Sequence, residues 1–213
     1  MTARPLPSTS VAILVGGHSR RMGVDKARLR LGAGTVLERV IGAATPMGLP
    51  LSLVCASPSE EADERLKWLR SFDLPVIPDL HPDRGPLGGL HTALSSSGAD
   101  RLLLLACDLP FLTTPFLSYI LSMQGTADVA LPQDEHGLHP LCAVYADSCL
   151  RGLSNCLDES RLSLIDFVRS VSYKPLGPSD YADLDPDGLL TTNLNTMEDC
   201  ERARGLLEQQ NLS

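Results

Sequence analysis

Aromatic side chains are scarce in this 213-residue sequence: Phe, Trp and Tyr together make up 4% of it, with one Trp. A platform that stacks successive bases of single-stranded nucleic acid is therefore not expected. An excess of basic charge is missing too. The formal net charge of −8 argues against a general DNA-binding protein. No apolar run exceeds six residues, as in Leu102–Cys107, whereas a membrane-spanning helix needs about 20. Met1–Ser10 holds one Arg and two prolines, and the apolar run after it ends at Val15, so no secretory leader is expected. None of the six cysteines forms a Cys-x-x-Cys pair. They read as isolated buried thiols in a reducing, cytoplasmic setting.

What is present is an ordinary globular composition, with 43% apolar residues and a mean hydropathy of +0.03. The length suits a single domain over 1–213, with 1–10 as a loose N-terminal extension. Strand-like runs at Val11–Val15, Leu51–Ala56, Pro75–Pro78 and Arg101–Cys107 alternate with helical patterns at Val36–Ala44, Ser59–Arg70 and Leu87–Ser95. The uninterrupted Arg101–Cys107 run fits a central parallel strand covered on both faces. Such alternation implies right-handed crossovers and a three-layer α/β/α, Rossmann-like fold around a mostly parallel sheet. A helix near Thr114 follows, then strands at Asp128–Pro132 and Leu138–Tyr145. After Asp147 the pattern loosens into a helix at Ser163–Val168, a strand at Val171–Pro175, a loop at Leu176–Asp187 and a closing helix at Thr196–Gln209.

Charge is unevenly placed. Residues 1–32 hold six bases against one acid, and the remainder holds twelve against 25. A cationic cluster on an otherwise acidic chain suggests a local anion site. The cluster falls in Leu14-Val15-Gly16-Gly17-His18-Ser19-Arg20-Arg21-Met22-Gly23-Val24-Asp25-Lys26-Ala27, directly after the first strand. A loop there lies at the carboxyl edge of a parallel sheet, where open α/β proteins bind ligands. Its glycines let backbone N–H groups turn inward, while Arg20, Arg21 and Lys26 can neutralise phosphate oxygens. Neither G-x-G-x-x-G nor a P-loop is formed, since Leu37 stands at the last glycine position and Ala27 follows Lys26. The competing reading is a basic, solvated turn.

Asp108, at the end of the most apolar strand, emerges at the same edge and is placed for Mg²⁺; its alternative role is a helix N-cap. Asp79 closes the third strand and precedes Gly85-Pro86-Leu87-Gly88-Gly89, where Gly88 and Gly89 would allow a flat base to approach the backbone. Asn193 and Asn195 would point to one side of an extended segment. His136 and His139 invite a zinc reading, but no Cys or carboxylate stands at ligand spacing.

Taken in order, these segments resemble the molybdenum cofactor guanylyltransferase family, within the nucleotidyltransferase group. The resemblance rests on residues 14–27, Gly-Pro-Leu-Gly-Gly at 85–89, Cys-Asp-x-Pro-Phe at 107–111, His-Pro-Leu-x-Ala-Val-Tyr at 139–145 and Asn-x-Asn-Thr-x-Glu-Asp at 193–199. It spans about Val11 to Leu207. The family often has an Asn-containing turn where Cys55-Ala56-Ser57 stands here. The resemblance implies transfer of GMP from GTP to molybdenum-molybdopterin with release of pyrophosphate. It implies nucleotide binding by Leu14, Val15, Gly16, Lys26, Asp79 and Asp108, Mg²⁺ on Asp108, and catalysis by Arg21, Lys26 and Asp108. Arg161, Asn193 and Asn195 are the implied contacts to the second substrate. Molybdenum-insertion proteins and molybdoenzyme chaperones are candidate partners; nucleic acid and membrane are not. A cytidylyltransferase, a sugar-nucleotide pyrophosphorylase and a non-catalytic nucleotide carrier are the other readings.

Overall fold

The runs richest in aliphatic residues become neighbouring strands in the computed structural model, which describes residues 7–16, 25–56, 60–194 and 196–210. The strands are β1 (Thr9–Val15), β2 (Arg30–Leu31), β3 (Gly34–Thr35), β4 (Leu51–Cys55), β5 (Val76–Pro78), β6 (Arg101–Ala106), β7 (Val129–Asp134), β8 (Gly137–Leu138), β9 (Cys142–Ala146) and β10 (Tyr173–Leu176). The α-helices are α1 (Val36–Ala44), α2 (Glu60–Arg70), α3 (Gly85–Ser97), α4 (Thr114–Met123), α5 (Cys149–Asp158), α6 (Leu164–Ser170) and α7 (Met197–Gln210). Among the described residues, none of these helices is long and apolar enough to cross a membrane.

The main sheet runs β10-β7-β9-β6-β1-β4-β5, with β8 paired to β7 and β2–β3 forming a separate ribbon. Strand β1 is parallel to both neighbours, with Leu14 opposite Ala106 and Val15 opposite Cys55. One feature departs from the expected central parallel strand: β6 is parallel to β1 but antiparallel to β9. The cause is chain length. The link between β7 and β9 is too short for a crossover helix, so β9 returns antiparallel between β7 and β6.

Two cores cover the sheet. On one face Val11, Ile13 and Val15 pack with Leu37 and Val40 of α1, Leu69 of α2 and Phe116 and Ile120 of α4. On the other, Ala12 and Leu104 pack with Leu87 and Leu90 of α3, Leu153 of α5 and Phe167 of α6. The four leucines Leu102 to Leu105 alternate between the two and are no more than 1% exposed, each contributing about 1.5–3 kcal/mol. A third, smaller core joins Leu29, Leu31 and Phe111 to Leu194, Ala203 and Leu207, tying α7 to the β2–β3 ribbon.

Helix α1 has the predicted bounds because Thr35 and Glu38 form a reciprocal capping box. Helix α7 starts on a similar exchange, in which Thr196 N–H donates to Asp199 and Asp199 N–H to the Thr196 hydroxyl. Helix α5 has no counterpart in the sequence reading. Its buried stripe is Cys149, Leu153, Cys156 and Leu157, and the two cysteines concealed its helical spacing. The loose extension assigned to 1–10 is corrected at its end. Strand β1 already includes Thr9 and Ser10, and the Ser8 N–H and hydroxyl both bond Asp100 Oδ2. Residues 1–6 lie outside the described residues.

From β1 the chain steps to β4 and β5 on one side, then crosses to β6 on the other. The strand order thus reverses between β1 and β6. The crevice outside their carboxyl ends is a topological switch point, the usual ligand position of such sheets.

Candidate active site

Strand register brings the first functional group together. Gly16 follows β1 and Asp108 follows β6, and the Cys107 N–H donates to the Leu14 carbonyl at 3.3 Å. The Val15 side chain is fully buried, so what it presents at the edge is its backbone. Among the described residues, a Cβ at Gly16 would meet nothing within 4 Å. Gly17, Arg20, Arg21 and Gly23 lie outside the described residues, so the expectation for Arg21 has no geometry here.

The chain is described again at Asp25, which caps a short 3₁₀ turn at Lys26–Arg28 by accepting from the Ala27 N–H at 3.2 Å. Lys26 begins that turn, and its Nζ stands 3.5 Å from Asp108 Oδ2. Both side chains are about one-fifth exposed, at 20% and 22%. Burial pushes the Asp108 carboxyl above the usual carboxylate range, and the Lys26 ammonium opposes that rise without cancelling it. The alternative role of Asp108 as a cap is not realised: α4 is preceded by Thr113, with no side-chain capping bond. Arg39 of α1 steadies the 107–111 loop by donating to the Pro110 carbonyl at 3.0 Å.

Among the described residues, no three His, Cys, Asp or Glu side chains converge into a self-contained metal cage. The Asp108 carboxylate at the sheet edge supplies hard oxygens of the kind Mg²⁺ takes, one or two protein carboxylates with phosphates and water completing its shell. The neighbouring thiol is inert. Burial and then the Asp108 charge push Cys107 up to about 12.

The second group lies past β5. Asp79 Oδ1 accepts from the His81 N–H at 3.0 Å and the Thr92 hydroxyl at 2.7 Å, and that hydroxyl accepts from the Leu80 N–H. Asp79 therefore also shapes its own turn, a task its sequence position did not reveal. Gly88 and Gly89 are buried in the first turns of α3. A Cβ on Gly88 would lie 2.9 Å from the His81 carbonyl, and one on Gly89 3.2 Å from Leu14. The room that these glycines leave is filled by the protein itself, which corrects the expectation of a base against them.

The third group is a cleft of about 620 Å³ whose lining includes Asp134, His139, Thr191, Asn193 and Arg202. It adjoins the first because the Leu194 N–H donates to the Asp108 carbonyl at 3.1 Å. Asp134 ends β7; its Oδ2 lies 2.7 Å from His139 Nε2 and accepts from the Thr191 hydroxyl at 3.3 Å. Burial raises the Asp134 pKa, but hydrogen bonds from the His136 N–H, His139 and Thr191 bring it below the ordinary value. Asp134 was missed because its partners come from a hairpin and a distant loop. Asn195 lies outside the described residues. Arg161 is not with Asn193: it stands at the exposed turn after α5, paired with Glu159 at 2.6 Å. The adjacent Ser160 hydroxyl accepts from Arg84 at 2.9 Å, which puts Arg161 on the β5 side.

Relatives match this chain over nearly their full length. A Pelotomaculum thermopropionicum protein named "Probable molybdenum cofactor guanylyltransferase" is 33% identical over 95% of this chain and 95% of its own. A Desulfosudis oleivorans protein named molybdenum cofactor guanylyltransferase is 30% identical over 94% of this chain and 96% of its own. The crystal structure of molybdopterin-guanine dinucleotide biosynthesis protein A from Archaeoglobus fulgidus superposes with a TM-score of 0.80 at 25% identity, covering 94% of this chain and 99% of that one. With residues 11–172 matched by the model of the MobA-like NTP transferase domain, the chain belongs to that family of nucleotidyltransferases.

Proposed function

We propose that this nucleotidyltransferase moves GMP from GTP onto molybdenum-molybdopterin, releasing pyrophosphate. The observation that carries the reading is the meeting of the Lys26 ammonium and the Asp108 carboxylate, 3.5 Å apart, across the β1/β6 switch point. The names of the relatives support the choice of substrates.

The chemistry joins two anions. A terminal phosphate oxygen of the pterin forms a bond to the α-phosphorus of the triphosphate, and the bond from that phosphorus to the bridging oxygen breaks. Pyrophosphate carries away the electron pair. No protein nucleophile is needed, so positioning and electrostatics supply the catalysis. Backbone groups of Leu14, Val15 and Gly16 line the nucleotide's path, with Asp79 at the far end of the same edge. Lys26 and Arg21 offset the charge that grows on the leaving pyrophosphate. Asp108 would hold Mg²⁺, which when bound neutralises phosphate oxygens.

The second substrate enters from the cleft beside Asn193, which adjoins Asp108 through Leu194, and Asn195 keeps its expected role as the second amide contact. The cleft size, about 620 Å³, suits a ligand of pterin dimensions. A contact from Arg161 to the substrate would come from the β5 side. If Arg161→Ala leaves the apparent affinity for molybdopterin unchanged, that residue has no such role.

The deciding experiment incubates the protein with Mg²⁺, molybdenum-loaded molybdopterin and either GTP or CTP, and measures pyrophosphate. Release with GTP is expected. Preferential release with CTP would make the chain a cytidylyltransferase, a question that the Cys55-Ala56-Ser57 segment leaves open by lacking the Asn turn. Triphosphate uptake with no release would make it a carrier.

A further inference from the structure

One partly buried cation beside the crevice has no part in the scheme above: Arg65, in the middle of α2. Its guanidinium reaches both flanks of the glycine-rich segment. Nη2 donates to the Val15 carbonyl at 3.3 Å and to Asp25 Oδ1 at 3.4 Å, and Nε lies 3.2 Å from Asp25 Oδ2. One side chain thus grips the residue before the segment and the residue after it. Asp25 passes the constraint on, because it caps the turn that Lys26 opens. That turn is anchored by Ala27, which is fully buried, and by Arg28, whose guanidinium lies 4.9 Å from the Trp68 ring and donates to the Glu64 carbonyl. Helix α2 therefore acts as a clamp on the base of Lys26.

We infer that Arg65 is a positioning residue for the triphosphate: through Asp25 and the Val15 carbonyl it sets Lys26 opposite Asp108 without touching the nucleotide. The inference rests on the functional reading above. Arginine suits the task where lysine does not, because a planar fork serves a carbonyl and a carboxylate at once while an ammonium is a single point charge. Nη2 is committed to the chain, and Nε is buried against Asp25 without completing a hydrogen bond among the described residues.

The test titrates GTP and, separately, GMP into the full-length protein with Mg²⁺, and records each variant's thermal midpoint. Arg65→Met is expected to weaken GTP binding about tenfold and GMP binding less than about threefold, because Lys26 meets the outer phosphates that GMP lacks. Arg65→Lys should recover part of the loss. Asp25→Asn should weaken GTP in the same sense, and the double variant should bind GTP within about twofold of Arg65→Met, since both changes break one linkage. Lys67→Met, on the same helix, should behave as wild type. If Arg65→Met does not fold, Arg65→Lys and Asp25→Asn carry the comparison. An unchanged ratio of GTP to GMP affinity in these variants, or losses that simply track the thermal midpoint, would overturn the positioning role. Wild-type protein that binds no triphosphate would overturn the functional reading itself.

Discussion

Replacing Lys26 by alanine removes a cation from a crevice that has to hold several phosphate charges. In the free protein its Nζ lies 3.5 Å from Asp108, with the side chain 20% exposed. At an effective dielectric of about 20, two unit charges near that separation interact by roughly 4–5 kcal/mol. Solvent and the remaining cations take up part of the loss in the loaded site. A transition state raised by about 3–4 kcal/mol slows turnover on the order of 10²–10³. Stability responds far less. A pair at the rim of a crevice contributes about 1 kcal/mol or less, equivalent to about 2–4 °C in a chain of this length. The Asp108 carboxyl, already raised by burial, rises further once its ammonium partner is gone, and protonation limits the cost of leaving it alone. The assay is pyrophosphate release at saturating GTP alongside differential scanning calorimetry. Lys26→Arg should restore part of the rate. Activity that falls less than tenfold, or a thermal midpoint that collapses together with it, would refute the electrostatic assignment.

Gly88→Ala should destabilise more than Gly89→Ala, roughly 2–3 against about 1 kcal/mol in urea unfolding, because the first meets a backbone carbonyl at 2.9 Å and the second a side chain at 3.2 Å. Equal costs would count against the packing account. Thr92→Val leaves the buried Thr92 site without a donor for Asp79 or an acceptor for the Leu80 N–H; it should cost about 1–3 kcal/mol and weaken nucleotide binding, measured by calorimetric titration. His91 is held below its ordinary pKa by burial and then by His81. A depressed His contributes stability that is whole above its unfolded pKa and drains away as pH falls through the folded one. His91→Gln should therefore flatten the pH dependence of stability just below the usual histidine range, and an unaltered profile there would dismiss the effect. Asp134 is likewise depressed, so its contribution is present above the ordinary carboxylate pKa and lost in stronger acid. Asp134→Asn should remove that loss in acid unfolding curves, and persistence of the full acid slope would contradict it.

Local signals carried some elements well. Val36–Ala44 was legible to the residue because Thr35 and Glu38 stop the helix from fraying into the ribbon before it. The run Leu102–Leu105 announced a strand covered on both faces, since only such a strand needs every side chain apolar. Helix α5 escaped notice because half of its buried stripe is cysteine. The direction of β9 escaped because a sequence pattern states which residues face the core, not which neighbour they pair with.

At the candidate site, the sequence by itself determined the chemistry available: a glycine-rich, cationic segment after the first strand, and aspartates just beyond the third and fourth strand runs. Those residues are legible because their character lies in the side chains and in their distance from a strand end. The tertiary structure decided which of them meet. It brought Lys26 to Asp108, separated Arg161 from Asn193, turned Asp79 partly into its own turn, and set Arg65 across the two flanks of the glycine-rich segment. The physical reason is that the Lys26–Asp108 and Arg65–Asp25 pairings join segments from different crossovers of the sheet, whereas Asp79 is held by its own turn and the helix after it. Strand order and register alone select which ends lie side by side, and both are set by how the whole core packs.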